Sequence, residues 1–212
     1  MKELSCSPIL HSKEVLYAEN GVFKVFDDAN FTIVAKQIKH SCFTVGYVIT
    51  EKTSRKLDLD KLNDIGIPRG PLYNDLKIGK SIEFKGIKIE SKDVTIDAPI
   101  GRKVVILGDT FDPSNISDIA MDCDLLVHEA TNRNENLSEA LKHGHSTASI
   151  NSFDFIEMTA EFANKIRAKS LIITHFSPRT FLEDTNDDVQ VILNQVKEVF
   201  KGPVYAAKVK KL

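Results

Sequence analysis

Three cysteines, Cys6, Cys42 and Cys123, are all that this 212-residue chain contains, and no two of them form a CxxC pair. Their odd number and wide spacing argue against a disulfide framework or a cysteine-ligated zinc site, and they suit a reducing compartment. Charge of one sign is also lacking: 28 Lys and Arg against 30 Asp and Glu leave a formal net charge of -2. The molecule as a whole therefore has no attraction to nucleic acid, and any such contact has to come from a local patch. No apolar run approaches the roughly 20 residues of a membrane span. The opening MKELSCSPILHSKEV has neither a signal-peptide core nor an arginine-rich amphipathic presequence. These absences predict a soluble chain of the cytoplasm, the nucleus or both, without a membrane partner. Internal repeats and low-complexity tracts are missing too. The length is compatible with one domain, or one domain with an appendage.

What is present is concentrated. Of only six histidines, three fall between His128 and His145, in LLVHEATNRNENLSEALKHGHSTAS. Three continuous apolar runs, KVVILGDT, CDLLVHEAT and KSLIITHFS, read as strands covered on both faces. Each stops at residues that metals favour: Asp109, His128 with Glu129, and His175. A helical pattern between the last two runs, from Asn134 to Lys169, completes an α/β arrangement, in which functional residues collect at the carboxyl ends of strands. Upstream, GVFKVFDDANFTIVAKQIKHSCFTVGYVIT alternates apolar and polar residues around a DDAN turn and predicts antiparallel strands. From Lys52 to Lys92 there are ten Lys and Arg against six Asp and Glu. This Pro- and Gly-punctuated stretch is either a solvated surface loop or a protruding basic arm, with a short helix over LDLDKLNDIG.

His40, Asp109 and His175 each stand at or just beyond an apolar run, and imidazole and carboxylate are ligands for zinc and similar ions. Singly, each has a plainer reading: a strand-edge histidine, a helix N-cap, a hydrogen-bonded core histidine. Glu129 lies at the end of a strand and His145 follows a glycine. A carboxylate that orients an imidazole makes an acid–base pair. His143 reads as an exposed turn residue, His128 as partly structural, and Ser146 as the cap of a following helix.

The strings HSCFTVGY, RKLDLDKLNDIGIPRGPLYNDLKIGKSI, VILGDT, LLVHEAT, HGHST and LIITHFSPR occur in the order in which they stand in ribonuclease Z, the tRNA 3'-processing endonuclease. The chain resembles the short form of that family from about Phe23 to about Arg179. The resemblance implies a metallo-β-lactamase fold, an αββα sandwich with a dinuclear zinc site. It implies that His40 and His175 each ligate one zinc, that Asp109 bridges the two, and that Glu129 and His145 form the pair at the leaving group. It implies that residues 53–97 are a flexible arm gripping precursor tRNA, with Gly70 and Pro71 in its glycine–proline element, and that the protein is a homodimer.

Several departures accompany the resemblance. The HxHxDH metal motif expected before His40 is absent, and His11 is the only histidine upstream. INSFDFIEM reads as an insertion, and Lys208 stands where the family has an aspartate. The expectation is a partial metallo-β-lactamase domain over residues 1–212, lacking the N-terminal half of the sandwich. It would hold at most one zinc weakly, would be poorly soluble unless paired, and would be impaired as a nuclease. Two other functions stay open: a non-catalytic tRNA-binding fragment, and a metallo-β-lactamase-fold hydrolase of small molecules.

Overall fold

The computed structural model describes residues 18–53, 55–96, 101–149, 158–177 and 187–208. Most of the INSFDFIEM stretch, His11, Cys6 and Arg179 lie outside them. The chain divides into two compact units. One comprises residues up to Phe26, Ile33–Ile49 and the chain from Lys103 onward; the other comprises Asp27–Thr32 and Thr50–Arg102.

The first unit is organised by an eight-stranded sheet. Its order is β1 (Ala18–Glu19), β2 (Val22–Asp27), β3 (Phe31–Ile38), β4 (Thr44–Glu51), β9 (Lys103–Leu107), β10 (Leu125–Glu129), β11 (Leu171–Thr174) and β12 (Val204–Ala206). The predicted DDAN turn forms, with the Asp28 carboxylate accepting the N–H groups of Asn30 and Phe31, both at 2.7 Å. β9 to β12 run parallel to one another. Between them lie α3 (Ser117–Ala120), α4 (Leu137–His143), α5 (Thr159–Lys165) and α6 (Asp187–Val199).

Register places Val105, Leu126, Leu171 and Val204 in one cross-strand row, and all four are buried. Against them pack Ala160, Phe162 and Ala163 of α5 and Ile192 and Val196 of α6. The spacing i, i+4 in α6 puts those two apolar side chains on one face. Burying Phe162 completely contributes about 2–3 kcal/mol by transfer of its apolar surface.

The adjacent row, Ile106, Val127, Ile172 and Tyr205, points the other way. Ile106 is 38% and Tyr205 59% exposed. The expectation that these strands are covered on both faces therefore fails among the described residues. A continuous apolar run records what a strand can bury on either face; whether something covers each face is a tertiary fact.

The second unit has a core of its own, made by Leu57, Leu62, Ile67, Leu76, Ile82, Ile89 and Val94. It is thus not a solvated loop. β5 (Lys56–Leu57) pairs antiparallel with β8 (Thr95–Ile96), and β6 (Ile82–Phe84) with β7 (Ile87–Ile89). The β6–β7 turn has positive φ at both Lys85 and Gly86, as a tight two-residue hairpin requires. α1 (Leu59–Ile65) lies on the predicted helical stretch, is capped by Asp58, and ends at Gly66 with φ 78°. α2 (Pro71–Lys77) begins with its proline in the first turn, where the missing N–H costs nothing.

Candidate metal and acid–base site

Three neighbouring parallel strands end together. Glu129, the last residue of β10, pairs with Thr174, the last of β11, and Val127 pairs with Ile106 just before the end of β9. Asp109 and His175 follow β9 and β11 by one or two residues, so all three side chains arrive at the same edge. His175 adopts φ 59°, in the left-handed region that non-glycine residues rarely occupy. The loop after Asp109 is held by Asp112, which accepts from Lys39 Nζ at 2.5 Å and from the Ser114 N–H at 2.9 Å. Burial pushes the Asp112 carboxyl up, but these bonds outweigh it and leave it below the usual range.

Glu129 is the hub. It is 1% exposed and accepts the Thr110 N–H at 2.5 Å, the Ser146 N–H at 3.2 Å, the Thr131 hydroxyl, and His145 Nδ1 at 3.2 Å from each oxygen. The Thr131 hydroxyl has one proton, and that proton goes to Glu129. Its contact with His175 Nδ1 at 2.8 Å therefore has the imidazole N–H donating. One buried carboxylate thus orients two imidazoles, His145 directly and His175 through Thr131.

The same logic assigns the third ring. His40 Nδ1 donates to the Gly144 carbonyl at 2.7 Å. In each histidine Nδ1 is tied, which leaves Nε2 as the lone-pair nitrogen. This is how metal-ligating histidines are usually held. His175 Nε2 stands 3.5 Å from an Asp109 carboxylate oxygen. One potential ligand atom from each of Asp109, His145 and His175 lies within 4.8 Å of the other two. His40 is not in that group, and its ring centroid is 5.2 Å from that of His145.

Of the residues singled out in the sequence, Asp109, Glu129, His145 and His175 meet at one edge, with His40 beside His145. His143 ends α4 as an exposed residue paired with Glu139. His128 is fully buried against the edge of the Phe162 ring, away from the site. Ser146 caps no helix among the described residues: it is buried, and its hydroxyl donates to the Thr110 carbonyl at 2.6 Å. The next described helix, α5, starts at Thr159. The reading missed Thr110, Thr131 and Gly144, whose roles depend on partners 19, 44 and 104 residues away.

Gly144 ends α4 with φ 80°, and a Cβ there would lie 2.8 Å from His40 Nδ1. Gly144→Ala is expected to cost about 1–2 kcal/mol from the left-handed backbone alone. It should also push the His40 ring aside. Denaturant unfolding together with the His40 ring resonances checks both effects, and an unchanged His40 signal would refute the contact.

The architecture is that of the metallo-β-lactamase fold. Human tRNase Z, short form, superposes with a TM-score of 0.50 at 24% identity, covering 91% of this chain and 46% of that one. The metallo-β-lactamase fold protein YhfI of Bacillus subtilis does so at 0.51 and 16% identity, covering 87% and 49%. Such identities establish the fold alone. In sequence, the chain is 36% identical over 184 residues to zinc phosphodiesterase ELAC protein 1 of Mus musculus, covering 84% of this chain and 49% of that protein. It is 34% identical over 184 residues to ribonuclease Z of Picosynechococcus, covering 86% and 55%. With ribonuclease Z of Streptococcus sanguinis the values are 34% over 188 residues, covering 86% and 58%. No protein-family model matches. The chain spans about half the length of the curated relatives it matches, and over that half it is similar to proteins named ribonuclease Z.

Proposed function

We propose that the chain carries the leaving-group side of a zinc-dependent phosphodiesterase site that removes the 3' trailer of precursor tRNA, with residues 53–97 holding the tRNA. The observation that carries this reading is the Glu129–His145 pair, set 3.2 Å apart beside Asp109 and His175. Glu129 keeps the proton on His145 Nδ1 and supports the charged ring, so that Nε2 can deliver a proton to the departing 3'-oxygen. Asp109, His175 and His40 supply oxygen and imidazole donors suited to zinc. When bound, zinc supplies charge neutralisation at a phosphate and makes water more acidic. With this donor set, the chain by itself is expected to cleave slowly or not at all.

The second unit has as many Asp and Glu as Lys and Arg, and it supports the tRNA assignment through exposed cations rather than through net charge. Arg69, at the start of the glycine–proline element, is exposed, and Lys56, Arg69 and Lys77 form no ion pair among the described residues. Gly70 has extended backbone, and a Cβ there meets nothing within 4 Å. The fold therefore does not require glycine at this position, whereas a close-approaching phosphate backbone would. A small-molecule substrate would have no use for such a unit.

The test is binding of a 3'-extended precursor tRNA between 50 and 200 mM salt, with cleavage followed in the same samples. Binding should weaken steeply with salt, and Arg69→Glu with Lys77→Glu should flatten the log–log slope by about 2 if both touch phosphates. Gly70→Ala should leave stability within about 1 kcal/mol and weaken tRNA binding. Absence of both trailer cleavage and salt-sensitive tRNA binding under every metal condition would overturn the reading.

A further inference from the structure

We propose that the cleft beside His175 receives the first nucleotide of the released 3' trailer, with Lys208 holding its 5'-phosphate and Tyr205 its base. The inference rests on the reading of this edge as a phosphodiesterase site and adds a product-side anchor to it. In that reaction a water oxygen bonds to phosphorus while the bond from phosphorus to the 3'-oxygen breaks. His145 protonates the departing oxygen, and the proton that the water gives up restores the one spent. The phosphorus therefore stays with the trailer, as a 5'-monoester. Its single negative charge as a diester rises to about 1.5–2 at pH 7 as a monoester. A cation beside the reacting edge thus meets more negative charge after cleavage than before.

The cleft has a volume of about 980 Å³, at the upper end of the roughly 300–1,000 Å³ usual for small-molecule sites. His175 and Phe176 line it after β11, Val189 and Leu193 from α6, and Tyr205 and Lys208 from β12 and just beyond. Ile173 and Ala206 are register partners, so His175 and Lys208 each stand two residues past the same pair. β12 is the last strand of the sheet, and Tyr205 lines the cleft while staying 59% exposed. An exposed aromatic ring is a platform on which any base can stack. Among the described residues no carboxylate lines the cleft, and Lys208 forms no ion pair. Its ammonium is the kind of point charge that binds phosphate. Position 208 is where the resemblance places an aspartate, which would repel a phosphate, so the lysine reverses the sign at this rim. Inorganic phosphate needs the lysine alone; a nucleotide uses the lysine, the aromatic ring and the apolar wall together, and one cleft holds all three.

The experiment is a titration of the full chain, at low salt, with adenosine 5'-monophosphate, adenosine and inorganic phosphate, followed by ¹H–¹⁵N spectra of the backbone amides. The nucleotide is expected to bind more tightly than either of the other two. Lys208→Asp should weaken it by roughly 10–150-fold, the loss of a hydrogen bond between charged partners, and should leave adenosine unchanged. Tyr205→Ala should weaken the nucleotide and adenosine alike, by about tenfold, and leave inorganic phosphate unchanged. Because a variant can fail to fold, the wild-type spectra carry a test of their own: amide shifts confined to residues 174–176, 189–193 and 204–208 support the site. Shifts only elsewhere, phosphate binding as tightly as the nucleotide, or a nucleotide affinity that ignores Lys208→Asp in a folded chain overturns it. Salt-sensitive binding of precursor tRNA in the same samples separates the two readings. If the nucleotide fails to bind while that binding survives, only the trailer subsite falls; if both are lost, the proposed function falls with it.

Discussion

Glu129→Ala is expected to destabilise the chain by about 3–5 kcal/mol, because a buried carboxylate that accepts several hydrogen bonds is removed. The carboxylate accepts from two backbone N–H groups, those of Thr110 and Ser146, from the Thr131 hydroxyl and from His145. Its removal leaves both backbone donors buried without a partner, at about 1–3 kcal/mol each. For a chain of this size each kcal/mol shifts the melting temperature by roughly 2–4 °C. Thermal unfolding by circular dichroism should therefore show a fall of about 6–20 °C. Glu129→Gln keeps one acceptor oxygen and should fall between the variant and the native chain. A melting temperature for the alanine variant within 2 °C or so of wild type would mean that these bonds contribute nothing net, and would remove the structural basis for Glu129 as the hub.

The second large effect concerns pH and comes from a histidine outside the site. His128 is fully buried, its Nδ1 donates to the Glu129 backbone carbonyl, and its Nε2 has no partner among the described residues. Burial pushes its pKa down to about 4, from an ordinary value of 6.5. Between those two values the unfolded chain takes up a proton that the folded chain refuses. The stability that the neutral ring permits is thus fully present above pH 6.5 and is lost as pH falls toward 4. The total is roughly 3 kcal/mol, of which about 2 kcal/mol is gone by pH 5. His128→Leu should remove this slope, since the Glu129 carbonyl still accepts the Thr159 hydroxyl at 2.5 Å. Denaturant unfolding at pH 7 and pH 5 for both chains measures the difference. Parallel losses in the two would show that His128 does not titrate across folding.

The two histidines in KHGHST and the one in VHEAT show how far pattern reading reaches. His143 was legible as a surface residue because its place at the end of a helix, four residues after Glu139, is a local matter. Glu129 and His145 were legible as a pair because each lies at an element end with recognisable punctuation, a strand run for one and a glycine for the other. Which ring nitrogens of His175 and His40 are tied was not legible. That is set by Thr131 and Gly144, through contacts that no local spacing encodes.

What the sequence by itself determined was the set of strands in an α/β arrangement, the polar residues at their ends, the α1 helix of the basic segment and the resemblance to ribonuclease Z. Apolar continuity, helix caps and ordered motifs are written in neighbouring residues, so short-range rules recover them. Only the tertiary structure decided that the basic segment has its own core, that one sheet face is half open among the described residues, and which histidine ring lies beside Asp109 and His175. Each of these depends on how chain segments far apart in sequence pack, and on which buried lone pairs and protons that packing leaves opposite one another.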